Sequence, residues 1–213
     1  MVSKGVVASL FICLLVGLLY CYARCKAGDE GRNVNVELRD GDIAFRCGVG
    51  ARSVAVLAAS EQKEYSHVGL VIMIDGEWFV VHSEPRGGGD EDKVYCDPLS
   101  TFFSSDNSLY GAICRYDDLD NLQRSIIRSY ISEQLDRQAL FDHDYDTSEQ
   151  DRLYCSEFVW QAYLRCGIDV TEERRTKVSV LFVDDDVIMP SDIRQNSKLS
   201  TAYSFCFRNK HLY

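Results

Sequence analysis

The chain has 213 residues, of which 46% are hydrophobic, and a formal net charge of −10 at pH 7. This length and apolar content predict a globular protein whose folded part is one domain with its own core. The acidic balance argues against a nucleic-acid-binding protein, because that function needs a basic surface.

Residues 1–27 are predicted to be an export signal or a membrane anchor. The run Val6–Ala23 carries no charge and is flanked by Lys4, Arg24 and Lys26. Its 18 residues lie at the lower limit for a bilayer span, and Ala23 and Ala27 offer cleavage positions, so both interpretations stay open. We expect residues 28–213 to form one domain in an extracytoplasmic compartment, whether periplasmic, secreted or anchored, with membrane association only through the N-terminal segment.

The first half of this domain predicts β structure with one short helix. Asp42–Phe45 follows an Asp-Gly turn and predicts a strand, and Val54–Ser60 predicts a helix. Two β-rich runs, Val68–Ile74 and Glu77–Ser83, are joined by Asp75-Gly76. An Asp-Gly pair between two such runs is a strong hairpin signal.

The second half predicts helices and further strands. Leu109–Tyr116 predicts a strand, and Leu119–Leu140 carries apolar residues at helical spacing. Thr147-Ser148-Glu149-Gln150 has the pattern of a capping box, and Asp151 is a second candidate cap, so a helix should begin nearby. We expect strands at Val178–Val183 and Tyr203–Phe207 to complete the sheet.

Cys155 is the candidate nucleophile. It falls in the first turns of the predicted helix, on the same face as Phe158, Val159, Ala162 and Cys166, and Gly167 should end the helix. A helix N-terminus stabilises a thiolate, so a lowered pKa is expected there. The alternative is a buried cysteine that only packs, and a base within reach is needed to decide between them.

The hairpin supplies candidate bases. With Asp75 and Gly76 as its two loop residues, His67 lies opposite Glu84, and Gly69 lies opposite His82. His67 and His82 are then diagonal neighbours on one face, close enough for their rings to meet. We predict that His67 is the base and that His82 orients it, with Glu84 as the alternative orienter, which would raise the pKa of His67.

Metal, nucleotide and disulfide sites have weaker support. Asp142–Asp146 resembles the start of a calcium loop, but Thr147 replaces the required glycine and Leu153 the bidentate glutamate, so a solvated acidic loop is the better interpretation. The chain has no phosphate-binding glycine loop and no Cys-x-x-Cys pair. We therefore predict no cofactor and no metal, and leave the pairing of the other cysteines open.

Several segments together resemble the circularly permuted papain-like cysteine hydrolases related to the NlpC peptidases, specifically the YiiX/YebB-type amidases. The matching segments, in family order, are Gly41–Phe45, Tyr65–Leu70, Trp78–His82, Leu99–Phe102, Phe141–Asp142 and Tyr154–Tyr163. The resemblance implies an α+β fold in which a small antiparallel sheet or barrel packs against the helix bearing the cysteine. It implies Cys155 as nucleophile, His67 as base and His82 as third catalytic residue, where this group often has a glutamate.

The leading hypothesis is an exported hydrolase that cleaves an amide through a thioacyl-enzyme intermediate. Its expected substrate is a peptidoglycan-type peptide or an acylated small molecule. The alternatives are a lipid acyltransferase or thioesterase-like enzyme of the same permuted fold, and a catalytically silent binding module. The sequence does not predict an oligomeric state.

Overall fold

The computed structural model describes residues 37–148, 151–180 and 183–206. The predicted export or anchor segment, residues 1–27, lies outside them. The described residues form eight strands and five α-helices, in the order β1 (Ile43–Gly48), α1 (Ala51–Ala59), β2 (His67–Ile74), β3 (Glu77–Glu84), β4 (Lys93–Pro98), α2 (Leu99–Phe102), β5 (Ser108–Tyr116), α3 (Asn121–Asp136), α4 (Cys155–Leu164), β6 (Thr176–Val180), β7 (Val183–Val187), α5 (Pro190–Arg194) and β8 (Leu199–Cys206). Within these residues, no helix has both the length and the apolar composition that crossing a bilayer requires.

Six strands form one antiparallel sheet in the order β4-β3-β2-β1-β5-β8. The larger apolar cluster joins one face of this sheet to α4, where Phe158 and Val159 are fully buried. A smaller cluster on the other face packs Val71 and Val80 against Phe102 of α2. The predicted α+β fold, an antiparallel sheet packed against the cysteine helix, is confirmed.

The hairpin of β2 and β3 has the predicted register, with Leu70 opposite Val81 and Ile74 opposite Glu77. Asp75 and Gly76 have φ angles of 50° and 86°. Two positive φ angles are the signature of a type I′ turn, whose twist matches that of the strands it joins. Local turn chemistry therefore determines which residues of the two strands share a face.

One predicted strand of the last third is wrong. Val178–Val183 is not a single strand of the main sheet, because Val178–Val180 belongs to β6 and Val183 to β7, and these two strands pair antiparallel in a separate ribbon. The Tyr203–Phe207 prediction is confirmed as far as Cys206, since β8 pairs with β5, and Phe207 lies outside the described residues. An apolar pattern identifies extended residues but not their pairing partners.

The cysteine helix begins later than its predicted caps. Its N-cap is Tyr154, which makes no side-chain capping bond. The preceding residues are held in extended structure instead: Leu153 N–H donates to Leu140 O at 2.9 Å, and Arg152 forms a β-bridge with Leu140. The predicted end is confirmed, because Gly167, with φ 80°, donates its N–H to Leu164 O at 2.9 Å.

The long helix predicted over Leu119–Leu140 is shorter at both ends. Asp120 and Gln123 form a reciprocal capping box at the start of α3, and the helix ends at Asp136. Ile127 and Tyr130 are buried, whereas Leu122 is largely exposed. The helix face that packs against the sheet thus begins one turn after the cap.

Candidate active site

The imidazole rings of His67 and His82 meet as the hairpin register predicts. Nε2 of His67 lies 2.8 Å from Nδ1 of His82, and the rings are edge-to-face with centroids 4.9 Å apart. His82 is fully buried. Gly69 makes room for this pair, since a Cβ there would lie 2.8 Å from the His82 Cβ.

A third residue, which the sequence interpretation missed, extends this pair. Nε2 of His82 lies 3.1 Å from Oδ2 of Asp97. Asp97 is on β4 opposite Val80, so it lies diagonally across from His82. Strand β4 was not predicted, although the alternation of Val94 and Cys96 with polar residues ahead of Asp97-Pro98 is a weak strand signal.

Glu84, the alternative orienter, contacts arginines instead of His67. Its Oε1 accepts a hydrogen bond from Nη2 of Arg46, and its Oε2 accepts one from Nε of Arg86 at 3.2 Å. Arg86 also binds Asp97 through Nη2. The structure therefore connects His67 to His82 and leaves Glu84 within a charged network beside them.

Cys155 is the first residue of α4. Its sulfur lies 3.8 Å from the Ser156 hydroxyl, and the backbone N–H of Val68 also hydrogen-bonds to it. Val68 directly follows His67 in β2. The thiol therefore lies beside the start of β2, next to the residue that carries the predicted base. The helix packs on one face of the sheet, whereas the two imidazoles contact Phe102 on the other.

A cavity of about 670 Å³ opens onto Cys155 and His67. Most of its lining is apolar, with contributions from α1 and from side chains that include Phe141, Tyr145, Ile188 and Met189. The Tyr154 hydroxyl accepts the backbone N–H of Ile188 at 3.0 Å. The residue that precedes Cys155 thereby holds one wall of the cavity in place.

A family model described as permuted papain-like amidase enzyme, YaeF/YiiX, C92 family, matches residues 37–210. The chain belongs to this family of amidases. The crystal structure of the metalloprotein YiiX from Escherichia coli O157:H7 is similar to this amidase, with a TM-score of 0.63 and 22% sequence identity over 76% of this chain and 95% of that one. This likeness supports the fold. A search of curated proteins found no match.

The pKa values in the amidase differ from those expected for a helix-terminal thiolate. Burial raises the pKa of Cys155, although hydrogen bonds from the Ser156 side chain and from the backbone N–H groups of Val68 and Ser156 oppose this effect. The prediction of a lowered thiol pKa considered only the helix terminus and could not include burial. Cys155 is a free thiol, as are Cys96, Cys114 and Cys166.

The predicted base of the amidase is uncharged. Burial, and then the positive charge of Arg46, lower the pKa of His67 well below its ordinary value. The expectation that Glu84 would raise this pKa is wrong, because that carboxylate is paired with Arg46 and Arg86. The resting site thus holds a neutral thiol beside a neutral imidazole.

Three potential metal ligands of the amidase lie close together: one atom from each of His67, His82 and Glu84 lies within 4.8 Å of the others. Each of these groups already has protein partners. The two rings hydrogen-bond to each other, and each Glu84 oxygen accepts from an arginine. The two guanidinium groups oppose the approach of a divalent cation, so the residues do not fit a resident metal.

The acidic loop Asp142–Asp146 of the amidase is stabilised by hydrogen bonds between a side chain and its own backbone. Asp142 is fully buried, not solvated as predicted. Its carboxylate accepts the N–H groups of Asp144 at 2.8 Å and Asp146 at 2.7 Å. Side-chain to backbone bonds of this kind close an Asx turn, so this carboxylate stabilises the loop that leads toward the cysteine helix.

Proposed function

We propose that this amidase hydrolyses the amide bond of an acylated substrate, with Cys155 as nucleophile, His67 as general base and His82 as the residue that orients His67. The observation that carries the proposal is the 2.8 Å contact between His67 and His82, together with a cavity that both His67 and Cys155 line. Nucleophile, base and orienter are the three parts that covalent acyl chemistry requires.

In the first half-reaction His67 takes the proton from the Cys155 sulfur, and the sulfur attacks the carbonyl carbon of the substrate. His67 then gives that proton to the amide nitrogen as the carbon–nitrogen bond breaks. The amine leaves, and the acyl group remains on Cys155 as a thioester.

In the second half-reaction water replaces the amine. His67 removes a proton from the water as its oxygen attacks the thioester carbon, and the carbon–sulfur bond breaks. The free acid leaves, and the proton on His67 returns to the sulfur. Because the resting pair is neutral, proton transfer accompanies attack on bound substrate instead of preceding it.

The cavity favours an apolar acyl group over a peptidoglycan-type peptide. Its walls are mostly apolar, and its volume of about 670 Å³ is within the range of sites that enclose a whole small molecule. Muropeptides carry many charged and amide groups that such walls would leave unsatisfied. An alkyl or acyl chain would instead gain free energy in proportion to the apolar area it buries.

The same apolar cavity supports acyl transfer or ester cleavage as a second candidate function. Both reactions use the same thioacyl intermediate, and they differ in whether water or another nucleophile releases the acyl group. Product analysis with an added amine or alcohol acceptor separates them. A catalytically silent binding module would bind acyl amides without turnover.

No metal takes part in the proposed mechanism. The solved YiiX structure is described as a metalloprotein, but in this chain Arg46 and Arg86 already neutralise Glu84. We expect exhaustive chelation to leave amidase activity unchanged. Loss of activity on chelation, with recovery on adding back one metal, would contradict this assignment.

We also propose that the enzyme acts outside the cytoplasm, with residues 1–27 as a cleaved signal or a retained anchor. The uncharged run between basic residues supports export. Mass spectrometry of the N-terminus, in membrane and in soluble extracytoplasmic fractions, separates the two forms. Recovery of the uncleaved chain in the cytoplasm alone would overturn the export proposal.

The experiment that tests the activity combines labelling with turnover. Alkyl iodoacetamides of increasing chain length are expected to label Cys155 faster than iodoacetamide itself, because the cavity binds the chain. Cys166, a free thiol two residues beyond the end of the same helix, should show no chain-length dependence.

Turnover is measured on N-acyl amides of increasing chain length and on muropeptides. Hydrolysis should be lost in Cys155→Ala and retained in the matched control Cys166→Ala. Equal labelling of both cysteines, with no hydrolysis of any amide, would sink the enzyme assignment. Turnover of muropeptides but not of acyl amides would keep the enzyme and overturn the substrate class.

A further inference from the structure

The fully buried imidazole of His82 hydrogen-bonds through both of its ring nitrogens. Its Nδ1 faces His67 at 2.8 Å, and its Nε2 faces the Asp97 carboxylate at 3.1 Å. A neutral imidazole carries one proton, so one nitrogen must donate and the other must accept. The charge state of Asp97 decides which nitrogen does which.

Asp97 is ionised throughout the physiological pH range. Burial alone would raise its pKa, but hydrogen bonds from His82 and Arg86 lower that pKa to about 2. An ionised carboxylate only accepts hydrogen bonds. The proton of His82 must therefore lie on Nε2, and Nδ1 carries a lone pair.

The tautomer of His82 then determines the tautomer of His67. Because Nδ1 of His82 accepts, Nε2 of His67 must donate and carries the proton of that ring. The lone pair of His67 is left on Nδ1, for which the described residues provide no hydrogen-bond partner. In the proposed mechanism this is the nitrogen that takes the proton from Cys155.

We propose that Asp97 is a positioning residue that sets the tautomers of both histidines and thereby makes Nδ1 of His67 the catalytic base. The inference rests on the proposed function and adds a fourth residue to it. When His67 is protonated during the reaction, its Nε2–H still donates to Nδ1 of His82, and Nε2–H of His82 still donates to the Asp97 carboxylate. The cation is therefore stabilised without moving either ring.

The charges around Asp97 support an orienting role. Arg86 pairs with Asp97 and with Glu84 and lies over the Tyr95 ring, with its guanidinium carbon 3.7 Å from the ring centroid. The ion pair keeps the carboxylate deprotonated and offsets part of its charge. Asp97 therefore acts mainly as a fixed hydrogen-bond acceptor for Nε2 of His82.

Replacing Asp97 by asparagine keeps the shape of the side chain but introduces an N–H donor. An amide that donates to Nε2 of His82 would reverse both tautomers and place a proton on Nδ1 of His67. In a Ser-His-Asp triad the analogous change lowers kcat about 10⁴-fold through the wrong tautomer. Here a second ring intervenes, and we expect a loss of kcat on the order of 10²-fold with little change in KM.

Nitrogen NMR of the uniformly labelled protein tests the proposal without using activity. Long-range correlations between ring nitrogens and carbon-bound protons report which nitrogen of each imidazole carries the proton. The chain has only four histidines, so single replacements assign the signals. We expect both His67 and His82 to be protonated on Nε2. A proton on Nδ1 of His67 in the wild-type protein would overturn the proposal, whether or not any variant folds.

The variants link the tautomer to turnover. Asp97→Asn should reverse both tautomers and lower kcat, whereas Asp97→Glu should keep the wild-type tautomers and recover part of kcat. The matched control is Asp118→Asn, which removes an exposed carboxylate paired with Lys198 and should change neither. Unchanged tautomers and kcat in Asp97→Asn would overturn the proposal.

A failure of the proposed function can be distinguished from a failure of the tautomer assignment. If the wild-type protein shows the expected tautomers but hydrolyses no amide or ester, the activity assignment is wrong while the tautomer assignment of Asp97 stands. If amides are hydrolysed but His67 carries its proton on Nδ1, the enzyme is correct and the role of Asp97 is overturned.

Discussion

Two histidine–aspartate pairs among the described residues have nearly the same contact and different surroundings. Nε2 of His82 lies 3.1 Å from Oδ2 of Asp97, and Nε2 of His143 lies 2.9 Å from Oδ2 of Asp92. The His82 side chain is 0% exposed, whereas that of His143 is 54% exposed. The contact alone does not distinguish a residue that orients a base from one that holds a loop.

The partners of the two carboxylates explain the difference. Asp92 accepts backbone N–H groups of Arg86 at 2.7 Å, Gly87 at 3.0 Å and Gly88 at 2.8 Å, and these bonds, led by that of Gly88, lower its pKa. Asp97 instead connects to a second imidazole through His82. Asp92 thus holds the backbone of the loop Arg86–Gly88, and the side chain of Arg86 in turn pairs with Asp97.

The largest expected effect is on kcat, and it distinguishes His67 from His143. His67→Ala removes the proposed base, and we expect kcat to fall on the order of 10³-fold. His143→Ala removes a partly exposed ring and should leave kcat within about twofold of the wild-type value. Steady-state kinetics on one acyl amide measures both, and equal losses would show that the two pairs are not functionally distinct.

Gly69→Ala tests how tightly the buried pair is packed. The added Cβ would lie 2.6 Å from Cγ1 of Val80 and 2.8 Å from Cβ of His82. We expect a loss of about 1–3 kcal/mol in the free energy of unfolding, and a fall in kcat on the order of 10-fold because His82 shifts.

Gly50→Ala is the matched control for Gly69→Ala, because a Cβ at Gly50 meets no atom within 4 Å. Denaturant unfolding and kinetics on both variants measure the difference. A Gly69→Ala protein with wild-type stability and kcat would contradict the close packing of Gly69 against His82.

Removing the charge of Asp92 should mainly affect stability, and removing that of Asp97 should mainly affect turnover. Asp92→Asn leaves the backbone N–H groups of the loop Arg86–Gly88 with a weaker acceptor. We therefore expect the melting temperature to fall by a few degrees with kcat nearly unchanged. Asp97→Asn should mainly lower kcat. Calorimetry together with kinetics on the two variants checks this, and a large loss of kcat in Asp92→Asn would contradict its structural role.

The smallest expected effect is on the pH dependence of stability. Burial lowers the pKa of His67 and of His82 below the ordinary 6.5. The unfolded chain therefore binds more protons than the folded one as the pH falls below 6.5, and the free energy of unfolding should decrease there. The combined His67→Gln and His82→Gln variant should flatten this decrease, whereas His143→Gln should not. Identical pH profiles for all three proteins would contradict the neutral, buried state of the pair.

The sequence determined the parts of this site that depend on local geometry. An Asp-Gly turn and the two-residue period of a strand are sufficient to place His67 and His82 on one face of a hairpin. The helical period is likewise sufficient to predict that Phe158 and Val159 face the core and that Cys155 lies near the start of the same helix. These rules act within a hairpin or a few turns of helix, so no knowledge of distant contacts was needed.

The tertiary structure alone decided the rest. Asp97 reaches His82 only because β4 pairs with β3, and Glu84 is diverted from His67 by Arg46 and Arg86, contacts that no local pattern predicts. Burial against distant segments also reversed the expected direction of the Cys155 pKa, because the cost of removing a thiolate from water exceeded the stabilisation from a helix terminus. The sequence thus predicted which residues could react, and packing determined their charge states and the hydrogen bonds on which the proposed tautomer of His67 depends.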